Sequence, residues 1–343
     1  MKKAVVIFGL LICFGMSYSI AQTNQAKYKI ANKINLEGDG GWDYLTVDDS
    51  TSRLFISHGT MVQVLDLNTH KLIGTIPDTK GVHGIALARD LNKGFISCGR
   101  DSSVTVFNLK TLEFISKVKV TGANPDAILY DPFSQKVFVY NGRSSNATVI
   151  DAKTEKVIET IPLPGKPEFS VTNLKGKVYV NIEDKSEICQ IDATTLKLEQ
   201  TWLIAPGEEP TGLAIDLKNH QLFSVCDKLM VAVSTDNGKV VGSAAIGNNV
   251  DGVAFDPILN RIYTSNGEGT MTIIQPMENN KFRVLENLTT QKGARTIALN
   301  YKTHNIYLPT AEFGETPAPT AENQHPRPSV KPNTFTILEI TMQ

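Results

Sequence analysis

The stretch Val82–Gly122, VHGIALARDLNKGFISCGRDSSVTVFNLKTLEFISKVKVTG, decides the fold. It reads as four short strands, Gly84–Ala88, Gly94–Ser97, Val104–Leu109 and Phe114–Val120, separated by Gly, Asn, Asp and Ser. Short β-rich runs bounded by those residues are the usual strand signal. One four-stranded sheet of this size has two open edges and half-covered faces, so it must pack against further sheets.

The chain supplies them. The first strand recurs at Trp42-Asp43-Tyr44-Leu45, Val82-His83-Gly84-Ile85, Pro125-Asp126-Ala127-Ile128, Pro167-Glu168-Phe169-Ser170, Pro210-Thr211-Gly212-Leu213, Val250-Asp251-Gly252-Val253 and Ala294-Arg295-Thr296-Ile297. The starts are 40, 43, 42, 43, 40 and 44 residues apart. A second strand recurs with them, as in Leu54-Phe55-Ile56, Gly94-Phe95-Ile96 and Ile306-Tyr307-Leu308, and so does a turn of the form Asp66-x-x-Thr69 or Asp151-x-x-Thr154. Short polar side chains suit that turn because they bond to nearby backbone. Seven units at a period near 40 predict an all-β, seven-bladed propeller of four-stranded antiparallel blades.

The two ends of the chain break the pattern. Tyr28–Leu36 reads as a strand ahead of the first unit, while the last unit runs out of sequence before a fourth strand of its own. We expect the N-terminal strand to complete the seventh blade and remove the open edge. That last unit also holds Pro309–Thr334 between its second strand (Asn305–Leu308) and third strand (Phe335–Ile340). Its six prolines disfavour a sheet and favour polyproline II, and a connection of this length is expected to serve function as a cover.

Met1–Ala21 has Lys2 and Lys3, an apolar run and Ser19-Ile20-Ala21, the pattern of a secretory leader cleaved after Ala21. Residues 22–343 would then form one domain, periplasmic or secreted, without a membrane span. The formal charge is −1, and −3 without the leader, so there is no global field for nucleic acid or an anionic membrane. Of the cysteines outside the leader, Cys98, Cys189 and Cys226 fall on different units and are expected to be unpaired, since a disulfide needs Cα atoms within about 7 Å.

The second-strand motif apolar-Tyr/Phe-x-x-Asn-Gly, seen in Val137–Gly142 and Ile262–Gly267, is similar to the YVTN repeat, and the chain from about Tyr28 onward resembles the YncE-like exported β-propellers. The resemblance implies the fold and an extracytoplasmic address. It carries no catalytic residues across, because the repeat motif is architecture.

Function is therefore sought where the repeats differ at equivalent places. The residues just before each first strand are Asp43, His83, Asp126, Glu168, Thr211, Asp251 and Arg295. First strands are innermost in a propeller, so these seven are expected to ring one mouth of the channel. The connections between second and third strands should bring His58, Arg100, Arg143 and Asn266 to that mouth, and the proline-rich segment should add His325 and Arg327. Asp43, Asp126, Glu168 and Asp251 offer oxygen ligands for a divalent cation, Ca²⁺ or Mg²⁺; no cofactor is otherwise implied. Three functions fit this pattern. The mouth would bind a small molecule or another extracytoplasmic protein; or it would host a metal-assisted lactonase or related hydrolase with His83 as base; or, against the charge balance, it would stack single-stranded nucleic acid on Trp42 or Tyr44. A monomer is expected. No Gly-x-Ser-x-Gly, His-Glu-x-x-His or Gly-rich phosphate loop is present to point to another chemistry.

Overall fold

A computed structural model describes residues 1, 27–38, 40–320, 324 and 326–343. The expected leader beyond Met1, and His325, lie outside the described residues. The chain forms seven four-stranded antiparallel sheets arranged as a β-propeller. Blades 1 to 6 cover residues 42–76, 82–119, 125–162, 167–203, 213–245 and 250–289. In blade 2 the strands are Val82–Ala88, Lys93–Cys98, Ser103–Asn108 and Phe114–Lys119, the order and nearly the bounds expected from the sequence. No helix among the described residues is long and apolar enough to cross a membrane.

Blade 7 is composite. Its inner strands are Ala298–Leu299, Ile306–Thr310 and Thr336–Met342, and its outer strand is Tyr28–Asn35. The N-terminal strand pairs antiparallel with Thr336–Met342, from Tyr28 opposite Met342 to Asn35 opposite Thr336. This is the closure expected from the unfinished last unit. It satisfies an edge that would otherwise be open and buries Tyr28, Ile34 and Leu36.

The core is a ring of interfaces. Seven buried apolar clusters each join two neighbouring blades: Ile56 and Leu54 with Tyr307 and Ile337 between blades 1 and 7, for example, and Phe138 with Val180 between blades 3 and 4. Each fully buried Val, Leu, Ile or Phe contributes roughly 1.5–3 kcal/mol, so a blade draws its stability from its neighbours. Packing is matched in volume across strands. The pairs Leu54–Leu65, Val137–Ile150, Val178–Ile191, Leu222–Val233 and Ile262–Ile274 occupy one repeated position. Blade 2 has Gly94 opposite Phe107 there, and a Cβ on Gly94 would stand 2.1 Å from the Phe107 ring. The large ring is accommodated by the missing side chain.

The proline-rich segment departs from expectation. Pro309 lies inside the second strand of blade 7, paired with Ile337. The innermost strand is only two residues long and ends opposite Tyr307, so on that side Pro309 breaks no ladder. Beyond it, the segment is pinned at its base as a hairpin. Phe313 bridges Val330, the Gly314 N–H donates to Ser329 O at 2.8 Å, and the Lys331 N–H donates to Glu312 O at 2.8 Å. The bridging residues are non-proline, which leaves their N–H groups free to pair.

Candidate ligand-binding mouth

Five of the seven ring positions lie one residue inside their first strand: Asp43, His83, Asp126, Glu168 and Asp251. In each of these strands the ladder slips at this place, between Trp42 and Leu45, Val82 and Ile85, Pro125 and Ile128, Pro167 and Ser170, and Val250 and Gly252. Such bulges re-aim a side chain out of the regular pleat. Thr211 and Arg295 precede the shorter first strands of blades 5 and 7.

The ring backbone is fixed by the neighbouring blade. Ser97 donates to Asp126 O, Ser265 to Arg295 O, Asn181 Nδ2 to Thr211 O at 2.9 Å, and Thr296 to Asp43 O at 2.6 Å. Ser97, Asn181 and Ser265 hold one repeated position, the fifth residue of their second strands. That recurrence was readable in the sequence, but its purpose was not.

The side chains form a connected arc. Arg295 bonds Asp251 through Nη1 and reaches Asp43 through Nη2 at 3.4 Å. Asp43 Oδ2 is 2.7 Å from His83 Nδ1, and Asp126 Oδ1 is 3.5 Å from the same nitrogen. Glu168 is held separately by Lys166 at 2.7 Å, which also bonds Glu183. Thr211 turns its hydroxyl to backbone, donating to Val250 O at 3.2 Å. Asp43, His83 and Asp126 bring three ligand atoms within 4.8 Å of one another and are, among the described residues, a set whose geometry could hold a metal ion. Of the four carboxylates expected as ligands, Asp251 instead faces Arg295, and Glu168 faces Lys166.

Burial is the main force on these groups. It raises Asp126 to about 6, with the Asp43 charge adding to it while His83 opposes. It raises Asp251 to about 6 despite Arg295, and Glu168 to about 8 against the pull of Lys166. For His83, burial acts downward, but the Asp43 hydrogen bond and the charges of Asp126 and Asp43 outweigh it, and its pKa is raised.

Beneath the ring the channel is filled. Tyr44 of blade 1 and Phe169 of blade 4, three blades apart, bring their rings within 5.3 Å across the axis. The equivalent positions in blades 2, 5 and 6 are Gly84, Gly212 and Gly252, where a Cβ would press on the next blade, 2.8 Å from Ile128, 3.0 Å from Asp251 O and 2.8 Å from Ile297. The mouth is therefore a bowl with a floor.

Its wall is cationic. A cavity of about 690 Å³ is lined by Asp43, His83, Arg100, Arg143, Arg295 and Arg327, together with Trp42 and Asn124. Arg100, Arg143 and Arg327 are exposed and have no acidic partner among the described residues. Two expected residues do not reach it. His58 is buried, bonded to Gln63 at 2.9 Å and stacked 3.9 Å from Phe335. Asn266 is buried and donates to Thr270 and Thr272, both at 3.0 Å, just as Asn141 does to Asn146 and Thr148 at 2.7 and 2.9 Å. The asparagines of the second-strand motif thus hold the following turn. Lys166 and Phe313 were not anticipated. The one follows from a basic residue just ahead of Pro167-Glu168, and the other from tertiary folding of the proline-rich segment alone.

No family model and no curated protein sequence matches the chain. Among solved structures, it is similar to a chain of the Kuenenia stuttgartiensis hydrazine synthase, with 17% identity and a TM-score of 0.67 over 80% of this chain and 94% of that one. It is likewise similar to a chain of a mitotic checkpoint complex, with 11% identity and a TM-score of 0.72 over 90% of this chain and 96% of that one. At such identities the likeness is one of fold: a β-propeller, a scaffold compatible with a binding module or an enzyme.

Proposed function

We propose that this chain is an exported propeller, of the kind its second-strand motif resembles, that binds a small anionic molecule in the bowl at its mouth. The observation that carries this reading is the convergence of Arg100, Arg143 and Arg327 on one concavity, with no acidic partner for any of them among the described residues. Guanidinium groups present several donors in a fixed fork that matches carboxylates and phosphates. The acids below do not cancel this wall. Asp43 and Asp251 are engaged by Arg295, Glu168 by Lys166, and Asp126 sits beside His83. Export is supported by the leader pattern over Met1–Ala21.

The test is a melting curve at pH 6 with phosphate, sulfate and a dicarboxylate at matched ionic strength. A ligand at a hundred times its Kd stabilises by about 2.7 kcal/mol, so the melt should rise by several degrees. Arg100→Ala with Arg143→Ala should abolish the rise. No shift with any of the three anions would defeat the reading.

A second reading rests on a separate observation, the three-ligand set Asp43, His83 and Asp126. A divalent cation there would make the site a metal-assisted hydrolase, with the arginines orienting an anionic substrate. Melting with Ca²⁺, Mg²⁺, Mn²⁺ and Zn²⁺ checks it, and the variant Asp43→Asn with Asp126→Asn should lose any shift. Unchanged melting of the native chain in all four ions would dispose of this second reading.

A further inference from the structure

Next to the cationic bowl lies a second cavity, of about 370 Å³, under the proline-rich segment. Its walls are of a different chemistry: Trp42, Phe313, Pro328 and Val330 supply apolar faces. The two cavities share Gly41, Trp42, Arg295 and Arg327. A molecule occupying both would have an apolar part beside Trp42 and a negative part at the arginines.

Resting on the anion-binding reading above, we propose that the ligand is an amphiphilic anion, a carboxylate-type head on an aromatic or similarly flat apolar body. The hairpin base formed by the Phe313–Val330 bridge sets the apolar wall in place, and Phe313 packs on Trp42 at 5.9 Å between ring centres. Gly41, Gly267, Lys292 and Gly293 complete the wall. Gly293 has φ +86°, and a Cβ there would stand 2.6 Å from the Phe313 ring; one on Gly267 would stand 2.9 Å from Asn249 O. A cavity of this size that combines apolar walls with a few convergent polar groups is the usual form of a small-molecule site.

The experiment reads Trp42 fluorescence in the full chain with Trp202→Phe, which leaves one tryptophan. Acetate, benzoate, 2-naphthoate and the uncharged 2-naphthalenemethanol are titrated at fixed ionic strength. Extra buried CH groups should make 2-naphthoate bind at least about ten-fold tighter than acetate, with a change in Trp42 emission, and the alcohol should bind more weakly than 2-naphthoate. Phe313→Ala and, as a milder change on the opposite wall, Val330→Ser should each shrink the naphthoate advantage while acetate binding persists. Arg143→Ala should weaken both carboxylates. Equal affinities for acetate and 2-naphthoate would overturn the inference and leave the anion reading standing. Binding of neither would defeat the anion reading itself. A naphthoate advantage indifferent to both Phe313→Ala and Val330→Ser would also overturn the inference, by placing the apolar part elsewhere.

Discussion

Blade 2 and blade 7 are built from the same repeat, and they differ in nearly everything that concerns function. Blade 2 is one continuous meander with four strands of six or seven residues. Blade 7 combines the two ends of the described chain, shortens its inner strand to two residues and carries the proline-rich hairpin. Blade 2 contributes His83 and Arg100 to the mouth from regular positions. Blade 7 and its flanks contribute Arg295, Phe313 and Arg327, and Thr296 bonds the Asp43 backbone in blade 1. The comparison teaches that a symmetric scaffold acquires a distinctive site where its symmetry is broken, and here that is the seam where the ring closes.

The largest effect should come from opening that seam. Deleting residues 27–36 removes the outer strand of blade 7 and uncovers its partners. The buried Tyr28, Ile34 and Leu36 are lost with it, at roughly 1.5–3 kcal/mol each, so the cost should exceed about 5 kcal/mol. Denaturant unfolding of the truncated chain checks this, and a midpoint equal to that of the full chain would show that the seam does not hold the ring.

Blade 2 offers a matched test of regular packing. Gly94→Val puts a side chain into the Phe107 ring and should cost on the order of 3 kcal/mol through overpacking. Adding Phe107→Val should recover most of the loss, because the pair then resembles its counterparts in other blades. Failure of the second change to rescue the first would mean that Gly94 is needed for another reason.

The mouth should register pH with a definite sign. Asp126 and Asp251 are raised to about 6 and Glu168 to about 8, while an unfolded Asp or Glu titrates near about 4. A raised carboxylate contributes stability that is present below about pH 4 and is lost as pH climbs through the folded value. The raised His83 acts in the same direction. The contribution of the ring should therefore decline between about pH 4 and pH 8. Asp126→Asn should flatten that slope by about 1–2 kcal/mol, allowing for partial solvent screening. Chemical denaturation at a series of pH values measures it, and a mutant slope identical to that of the native chain would remove Asp126 from the account.

At the small end is the hairpin in blade 7. Lys331 and Glu312 pair at 3.2 Å with both side chains more than half exposed, and such surface pairs contribute about 0–1 kcal/mol. Glu312→Ala should barely move the unfolding midpoint, since the backbone bonds around Phe313 and Val330 remain. A loss of several kcal/mol would mean that the hairpin is held by charge instead.

The repeat made much of this molecule legible. A period near 40 with alternating apolar residues can bury its faces only by stacking sheets in a ring, so blade number, strand order and the identity of Asp43, His83, Asp126, Glu168, Thr211, Asp251 and Arg295 as equivalent residues followed from local pattern. The missing fourth strand of the last unit likewise foretold the closure, because an unpaired edge has to be filled. Equivalence along the chain says which residues share a radius, but not which neighbours they choose. Whether Asp251 meets Arg295 or joins Asp43 and His83 depends on bulges and on bonds between blades, which involve partners tens to hundreds of residues away. His58 and Asn266 read as mouth residues in the sequence and turned inward because Gln63, Phe335, Thr270 and Thr272 satisfied them. The prolines of 309–334 were visible at once; that the segment closes as a hairpin and lays Phe313 on Trp42 was decided only in three dimensions, since side chains distant in sequence become one wall when the ring brings the last blade beside the first.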